Sequence, residues 1–306
     1  MLFIISLISF IAINLAPNSF FASGELNPNI TPEAIEQLKS IYGLDKPLYT
    51  QFFSWIYSIL QLDFGISFTS GEKVKEEILS RIPITLTINI VSMILIFIIS
   101  LYFGIKSAMK KNSIFDRFTN QLSLLSFSMP SFYLALVLVL VFSIKFELFP
   151  IAGLHSVPND GSLNYYLDFA WHLTLPIFII VFGGIGSLIL YIRALTIEIL
   201  KSDYIFFARA RGLSNKIILR HYILPNLYPP IITLLGLSLP GIIGGSVILE
   251  TIFSIDGMGL LFYQSALSHD YPVIMGILII GAFLTLIGNM FADLILLKLN
   301  PNYNEK

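Results

Sequence analysis

The sequence predicts an all-α, polytopic membrane protein of about six transmembrane helices. Three observations predict it. Of 306 residues, 56% are hydrophobic and 12% are charged, with a mean hydropathy of +0.82; a soluble domain carries about 25% charge and could not hide so much apolar surface. Five stretches reach the roughly 20 mostly apolar residues that a membrane-crossing helix needs. None of the five holds an ionisable residue near its middle.

The elements follow in chain order. Leu2–Leu15 is apolar throughout, but at 1.5 Å per residue it reaches only about 21 Å against a hydrocarbon core of about 30 Å. A signal peptide would explain an apolar start, yet the basic n-region is missing. We read it as the second half of a first membrane helix, whose natural start then lies upstream of Met1. The first loop, 17–83, is too long for a plain connection and reads as an external subdomain. In it Thr31 is a good N-cap, Pro32 suits the first helical position and Glu33 favours a helix N-terminus. Ile35, Leu38 and Tyr42 share a face, and Gly43 ends that helix. A second external helix runs from about Leu48 to Leu62. Its Phe52, Phe53, Trp55, Ile56 and Ile59 suit a membrane surface or partner, and equally ordinary packing against a neighbouring helix.

The five full spans are about Thr85–Ile105, Leu122–Ile144, Leu173–Ile192, Ile231–Leu249 and Val273–Leu297, with Asp293 in the last turns of the fifth. Gly183, Gly184 and Gly186 mark a flexible or closely packed point, and Gly241 and Gly245 form a small-xxx-small pair. The chain thus divides into 1–82 (first helix plus external subdomain), 83–300 (membrane core) and the tail 301–306.

Basic residues set the orientation. Twelve of the 18 Lys and Arg fall in the second loop (Lys106, Lys110, Lys111, Arg117), the fourth loop (Arg193, Lys201, Arg209, Arg211, Lys216, Arg220) and the tail (Lys298, Lys306). Those segments, with both termini, are expected on the cytoplasmic side.

Chemistry is sparse. There are no cysteines, so disulfides, thiolate metal sites and cysteine nucleophiles are excluded together. His155, His172, His221 and His269 are scattered and read as interfacial or structural. The net charge of −1 points away from nucleic acid. No P-loop, H-E-x-x-H or G-x-S-x-G motif occurs. No resident cofactor, metal or catalytic residue is expected. Proton-driven carriers keep ionisable residues at membrane depth, and these helix centres have none. A transporter built this way draws its energy from a partner.

The fourth loop is the informative segment. It runs from Asp203 through Phe206, Ala208, Arg209, Ala210, Arg211, Gly212 and Leu213 to Leu224 and Pro225. A short helix with small residues can seat in a partner's groove, with arginines pairing at its rim. Charge alone favours a solvated loop. The spacing Ala208-x-x-x-Gly212, followed after thirteen residues by Pro225, resembles the EAA loop of ABC importer permeases, with Phe206 at the motif's first acidic position. The Ala208-to-Ser214 wording resembles the dipeptide/oligopeptide/nickel branch. So do Leu15-Ala16-Pro17, Thr31-Pro32-Glu33-Ala34, Tyr42 to Leu48, Leu62 to Ser67, Arg81-Ile82-Pro83-x-Thr85-Leu86, Ser128 to Phe132, Glu250-Thr251-Ile252-Phe253, Gly257-Met258-Gly259 and His269 to Val273. Asp256 stands where the family usually has proline.

The resemblance implies a type I ABC importer permease fold in the cytoplasmic (inner) membrane. It implies three kinds of protein partner around this chain: a second homologous permease, two cytoplasmic ATPases and a periplasmic or lipid-tethered solute-binding protein. Ala208 to Leu213 would form the coupling helix, and Leu224-Pro225 would redirect the chain into the fifth helix. Glu250, Asp256, Gly257 and Gly259 would line the outer mouth. Dipeptides or oligopeptides are the implied solutes, with nickel or another metal complex as the alternative. An ATP-independent secondary carrier is the rival class, and neither intramembrane charge nor an inverted repeat supports it.

Overall fold

The computed structural model describes residues 4, 6–8, 10, 11, 46–244 and 246–299. The expected first membrane helix lies only partly within them. The Leu15-Ala16-Pro17 exit, the helix expected at 31–43, Gly245 and the tail 301–306 lie outside.

Helix α1, Leu48–Leu60, matches the second external helix. Phe52 is buried beneath Phe10 (ring centroids 5.3 Å apart) and Trp55. Tyr49, Phe53, Tyr57 and Leu60 point outward. One face therefore packs on the chain's own N-terminal residues, and the other is open. After α1 a tight turn carries Ser67 to Thr69 onto Asp270, whose carboxylate accepts from the Ser67 hydroxyl (2.5 Å) and the Phe68 and Thr69 N–H groups.

Helix α2, Val74–Met109, starts well before the expected Thr85. Glu76 and Glu77 in its first turn favour the N-terminus. Pro83, expected to close the loop, sits inside the helix. The expected span Leu122–Ile144 is not one helix. It is α3, Ile114–Ser128, then α4, Ser131–Leu138, which runs on through a π-helical turn, Val139–Lys145, and the two halves are bent by 98°. Pro130 causes the break: it has no N–H to donate, and it holds Met129 extended (φ −89°, ψ 120°).

Helix α5, Leu163–Leu200, is capped by Ser162 and lies along α2 and α3. Two of its three glycines mark close packing. A Cβ on Gly184 would come within 2.5 Å of Ile96 in α2, and one on Gly186 within 2.5 Å of the Ser123 carbonyl in α3. Arg193, counted above as a loop charge, belongs to α5. Its Nε and Nη2 donate to both oxygens of the buried Asp116 in α3 (2.7 and 2.9 Å). Asp116 also accepts from Ser107 of α2 and the Asn112 N–H. One carboxylate thus ties three helices together.

Short α6, Asp203–Ala210, leads to α7, Asn215–Ile218, a π-helical turn, Leu219–Ile223, and α8, Leu224–Gly244. The expected span Ile231–Leu249 is interrupted after α8, and α9, Val247–Ile252, follows as a separate helix. Helices α10, Met258–Leu267, and α11, Tyr271–Leu299, complete the described chain.

Among the described residues, α2, α5 and α11 are long and apolar enough to cross a membrane, and α3 with α4 would make a fourth, bent span. The 21 residues of α8 carry no charge. Apolar side chains gather at both ends of this bundle. One cluster joins Ile205, Ala208, Ile218, Ile223, Leu227 and Ile192 at the basic end. Another joins Ile84, Leu134, Leu173, Leu249, Phe253 and Ile255 at the opposite end.

Candidate functional site

At the basic end, α6 lies across the bundle with two distinct faces. Ile205 and Ala208 are buried in the apolar cluster. Phe206, Phe207, Arg209 and Ala210 are exposed. Ala208 was expected to seat in a partner's groove; it is instead 2% exposed and turned into its own chain. The reason is how α6 ends. Gly212 N–H bonds the Arg209 carbonyl (2.9 Å), Leu213 N–H bonds the Ala208 carbonyl (3.2 Å), and Gly212 takes φ +77°. That pair of bonds is a Schellman motif, with Gly212 left-handed just past the helix and Leu213 folding back beside Ala208 in the same cluster. The Ala208-x-x-x-Gly212 spacing is the spacing of that cap. Arg209 and Arg211 stand exposed on its flank.

Leu224 and Pro225 do not redirect the chain. Ile218 and Leu224, on either side of the π-helical turn, both keep right-handed helical backbone, Leu224 at φ −58°, ψ −46°. Proline would clash with the carbonyl four residues earlier in an α-helix, and the wider π turn sits just there. The turn also keeps one face inward: Ile218, Ile223, Leu227 and Ile231 are all buried.

At the opposite end the expected mouth residues divide. Glu250 is 3% exposed and so lines no open surface. Its Oε2 accepts from the Leu260 N–H (2.9 Å), while the Thr85 hydroxyl accepts from the Met258 N–H (2.9 Å) and faces Glu250 Oε1 at 3.4 Å. Burial pushes the Glu250 carboxyl up, against the N–H groups of Leu260 and Gly259 and the Thr85 hydroxyl, which draw it down. Gly257 and Gly259 make room for this carboxylate: a Cβ on either would fall within 3.0 Å of Glu250 Oε2. Asp256 alone reaches the surface, where it pairs with Arg81 (2.6 Å) at the head of α2. Both line a cleft of about 400 Å³ with Ser80, Thr87, Leu154 and Phe169. Thr85 was legible as the start of a span and as part of the Arg81-to-Leu86 resemblance; its contact with Glu250 depends on a partner 165 residues away. Phe206, read only as a substitute at the motif's acidic position, and Phe207 form an exposed aromatic pair beside the arginines.

The model for binding-protein-dependent transport system inner membrane components matches residues 100–305, and the model of that family's N-terminal part matches residues 1–89. The chain belongs to this family. The oligopeptide transport system permease protein AppB of Bacillus subtilis is 35% identical over 97% of this chain and 93% of its own length. The dipeptide transport system permease protein DppB of Lactococcus lactis subsp. cremoris is 32% identical over 98% and 94%. The metal-staphylopine import system permease protein CntB of Staphylococcus aureus is 31% identical over 91% and 85%. Among solved structures, an inward-facing MetNI methionine ABC transporter chain superposes with a TM-score of 0.57 at 17% identity, over 72% of this chain and 95% of that one. At that identity the likeness speaks for the fold. This ABC permease is therefore a multi-pass, all-α membrane component. Within it the capped α6 and the Glu250–Thr85 lock occupy opposite ends of the bundle.

Proposed function

We propose that this permease moves dipeptides or oligopeptides inward across the cytoplasmic membrane, as one half of a permease pair. One of two ATPases binds the exposed Phe206, Phe207, Arg209 and Arg211 of α6 and its cap, the other binds the second permease, and a solute-binding protein docks at the opposite end, near Asp256. ATP hydrolysis belongs to those ATPases. The observation that carries the reading is full-length similarity to permeases of oligopeptide and dipeptide systems. The structure adds a route for force. Helices α6 and α8 share one apolar cluster, so a push on α6 displaces α8. α9 follows α8 and holds Glu250, whose carboxylate secures the loop through Leu260.

The test is reconstitution of the chain with its neighbouring permease, ATPases and binding protein in proteoliposomes. Uptake of labelled peptide should require all components and ATP. Uptake that proceeds without the ATPases would overturn the reading in favour of a secondary carrier. The CntB similarity favours one second reading, import of a metal chelate. Labelled nickel–histidine offered to the same vesicles separates the two, since a peptide permease leaves it outside.

A further inference from the structure

A second cleft, of about 340 Å³, opens between α2, α5 and α8 at mid-height. Ser92 and Leu234 lie at or beside the midpoints of α2 and α8, and Gly184 and Ser187 lie just past the midpoint of α5. No lining residue is ionisable, yet Asn89, Ser92, Ser187 and Ser238 all contribute polar groups. Ser92 is the unusual one. Thr87, Thr174, Thr196 and Ser238 each donate to the carbonyl one turn back, the ordinary way for a hydroxyl to be satisfied within a helix. Ser92 makes no such bond: it is 1% exposed and its hydroxyl has no partner. Ser100 and Thr119 share that condition, but neither lines the cleft. Lipid offers a hydroxyl nothing to bond, and an unmade bond at this depth is costly. The cleft is open on the side where Ser187 and Ser238 are exposed; Ser92 lines it but is buried, so a solute meets its hydroxyl only when α2, α5 or α8 shifts during transport.

We propose that this cleft is a subsite on the solute path that hydrogen-bonds neutral amide groups, with Ser92 as the contact to a peptide's backbone. The proposal rests on the peptide-import reading. The cleft's volume falls in the range of small-molecule sites. Its lining suits the repeating amide of a peptide and gives a charged metal complex no counter-charge. Ser238, whose proton already goes to the Leu234 carbonyl (2.7 Å), presents lone pairs to an amide N–H. Ser92 can donate to an amide carbonyl.

The chain has no cysteine, so Ser92→Cys introduces a single thiol. In the complete reconstituted importer, with trialanine and pentaalanine as probes, that thiol should react with a small hydrophilic maleimide during turnover. Saturating peptide should slow the reaction several-fold. Ser100→Cys, buried away from the cleft, should stay unreactive. A Ser92 thiol that is unreactive during turnover, or reacts equally fast with and without peptide, overturns the subsite. Should Ser92→Cys fail to assemble, Ser238→Cys on the exposed wall is read by the same criteria. An independent arm compares trialanine with its analogue N-methylated at the central amide. The ratio of their uptake rates should fall about three- to tenfold in Ser92→Ala relative to wild type, the size of one hydrogen bond, with peptide-stimulated ATPase activity retained. An unchanged ratio overturns the subsite while leaving peptide import standing. A wild-type importer that takes up neither peptide overturns the import reading, and the subsite with it.

Discussion

At the scale of single residues, Gly212 depends on a backbone geometry that few side chains adopt. Gly212 sits at φ +77° with nothing within 4 Å of where a Cβ would stand. Substitution there is opposed by conformation, since space is open. Gly212→Val should strain the cap by about 1–3 kcal/mol, loosening Leu213 from Ala208 and lowering ATPase co-purification and peptide uptake at matched expression. Gly212→Asn should keep most of both, because asparagine enters the left-handed region readily. Equal loss in the two variants would mean that bulk at a partner's surface matters instead. Glu250 poses an electrostatic question. Its folded carboxyl titrates above the usual range because it is buried. The fold therefore favours the protonated acid, and stability declines as pH rises through that raised value. Glu250→Gln keeps an acceptor for Leu260 and cannot ionise, so it should match or exceed wild type in thermal stability at pH 8 and flatten the pH dependence. Glu250→Ala leaves the Leu260 N–H without its acceptor and should cost about 1–3 kcal/mol.

At the scale of elements, Asp116 is the joint of α2, α3 and α5. Arg193→Ala leaves its buried carboxylate with neutral donors only. We expect a loss of roughly 3 kcal/mol, at the low end for a broken buried pair because Arg193 keeps some solvent contact. Asp116→Ala with Arg193→Ala should cost less than the two single losses combined. Denaturant unfolding in detergent micelles measures both. The joint was not visible in the sequence: Ser113 caps α3 by accepting from the Asp116 N–H (3.2 Å), but nothing local links Asp116 to Arg193, 77 positions later and counted above as a loop charge. The same contrast runs through the helices. Apolar runs announced α2, α5 and α11. Hydropathy was blind to the 98° bend at Pro130, because the apolar run Leu122–Ile144 continues across it. The Ala208-to-Gly212 spacing, read as a docking signature, is also the spacing of the Schellman cap that ends α6.

At the scale of the whole molecule, the basic residues of the loops at 106–117 and 201–220 predict a topology. A periplasm-dependent reporter fused near Ser156 should be active, and fusions near Ser113 or Ser214 should be silent. The reverse pattern would invert the proposed assembly and send the ATPases to the Glu250 end. Family and general architecture were legible because ordered motifs extend along nearly the full chain. The mid-height cleft was not: Asn89, Ser92, Ser187 and Ser238 are scattered over three helices, and only packing gathers them.

The π-helical turn at Leu219–Ile223 makes chain length a constrained quantity there, while chemistry is free. Ile218, Ile223, Leu227 and Ile231 are buried at intervals of five, four and four. A uniform α-helix cannot hold all four on one side, because five residues advance the chain well beyond one turn. Arg220 and His221 are exposed, so Arg220→Ala and His221→Ala should be tolerated. Deleting either one would let the segment settle into plain α-helix and rotate everything before it by about 100° relative to α8. Ile218 would swing out of the cluster, and α6 would lose its seat. The deletion should abolish ATPase association, and reinserting an alanine anywhere within the turn should restore it. Across homologous chains this stretch should accept many substitutions and almost no gaps, behaving as a spacer whose length carries the phase between two ends of one helix.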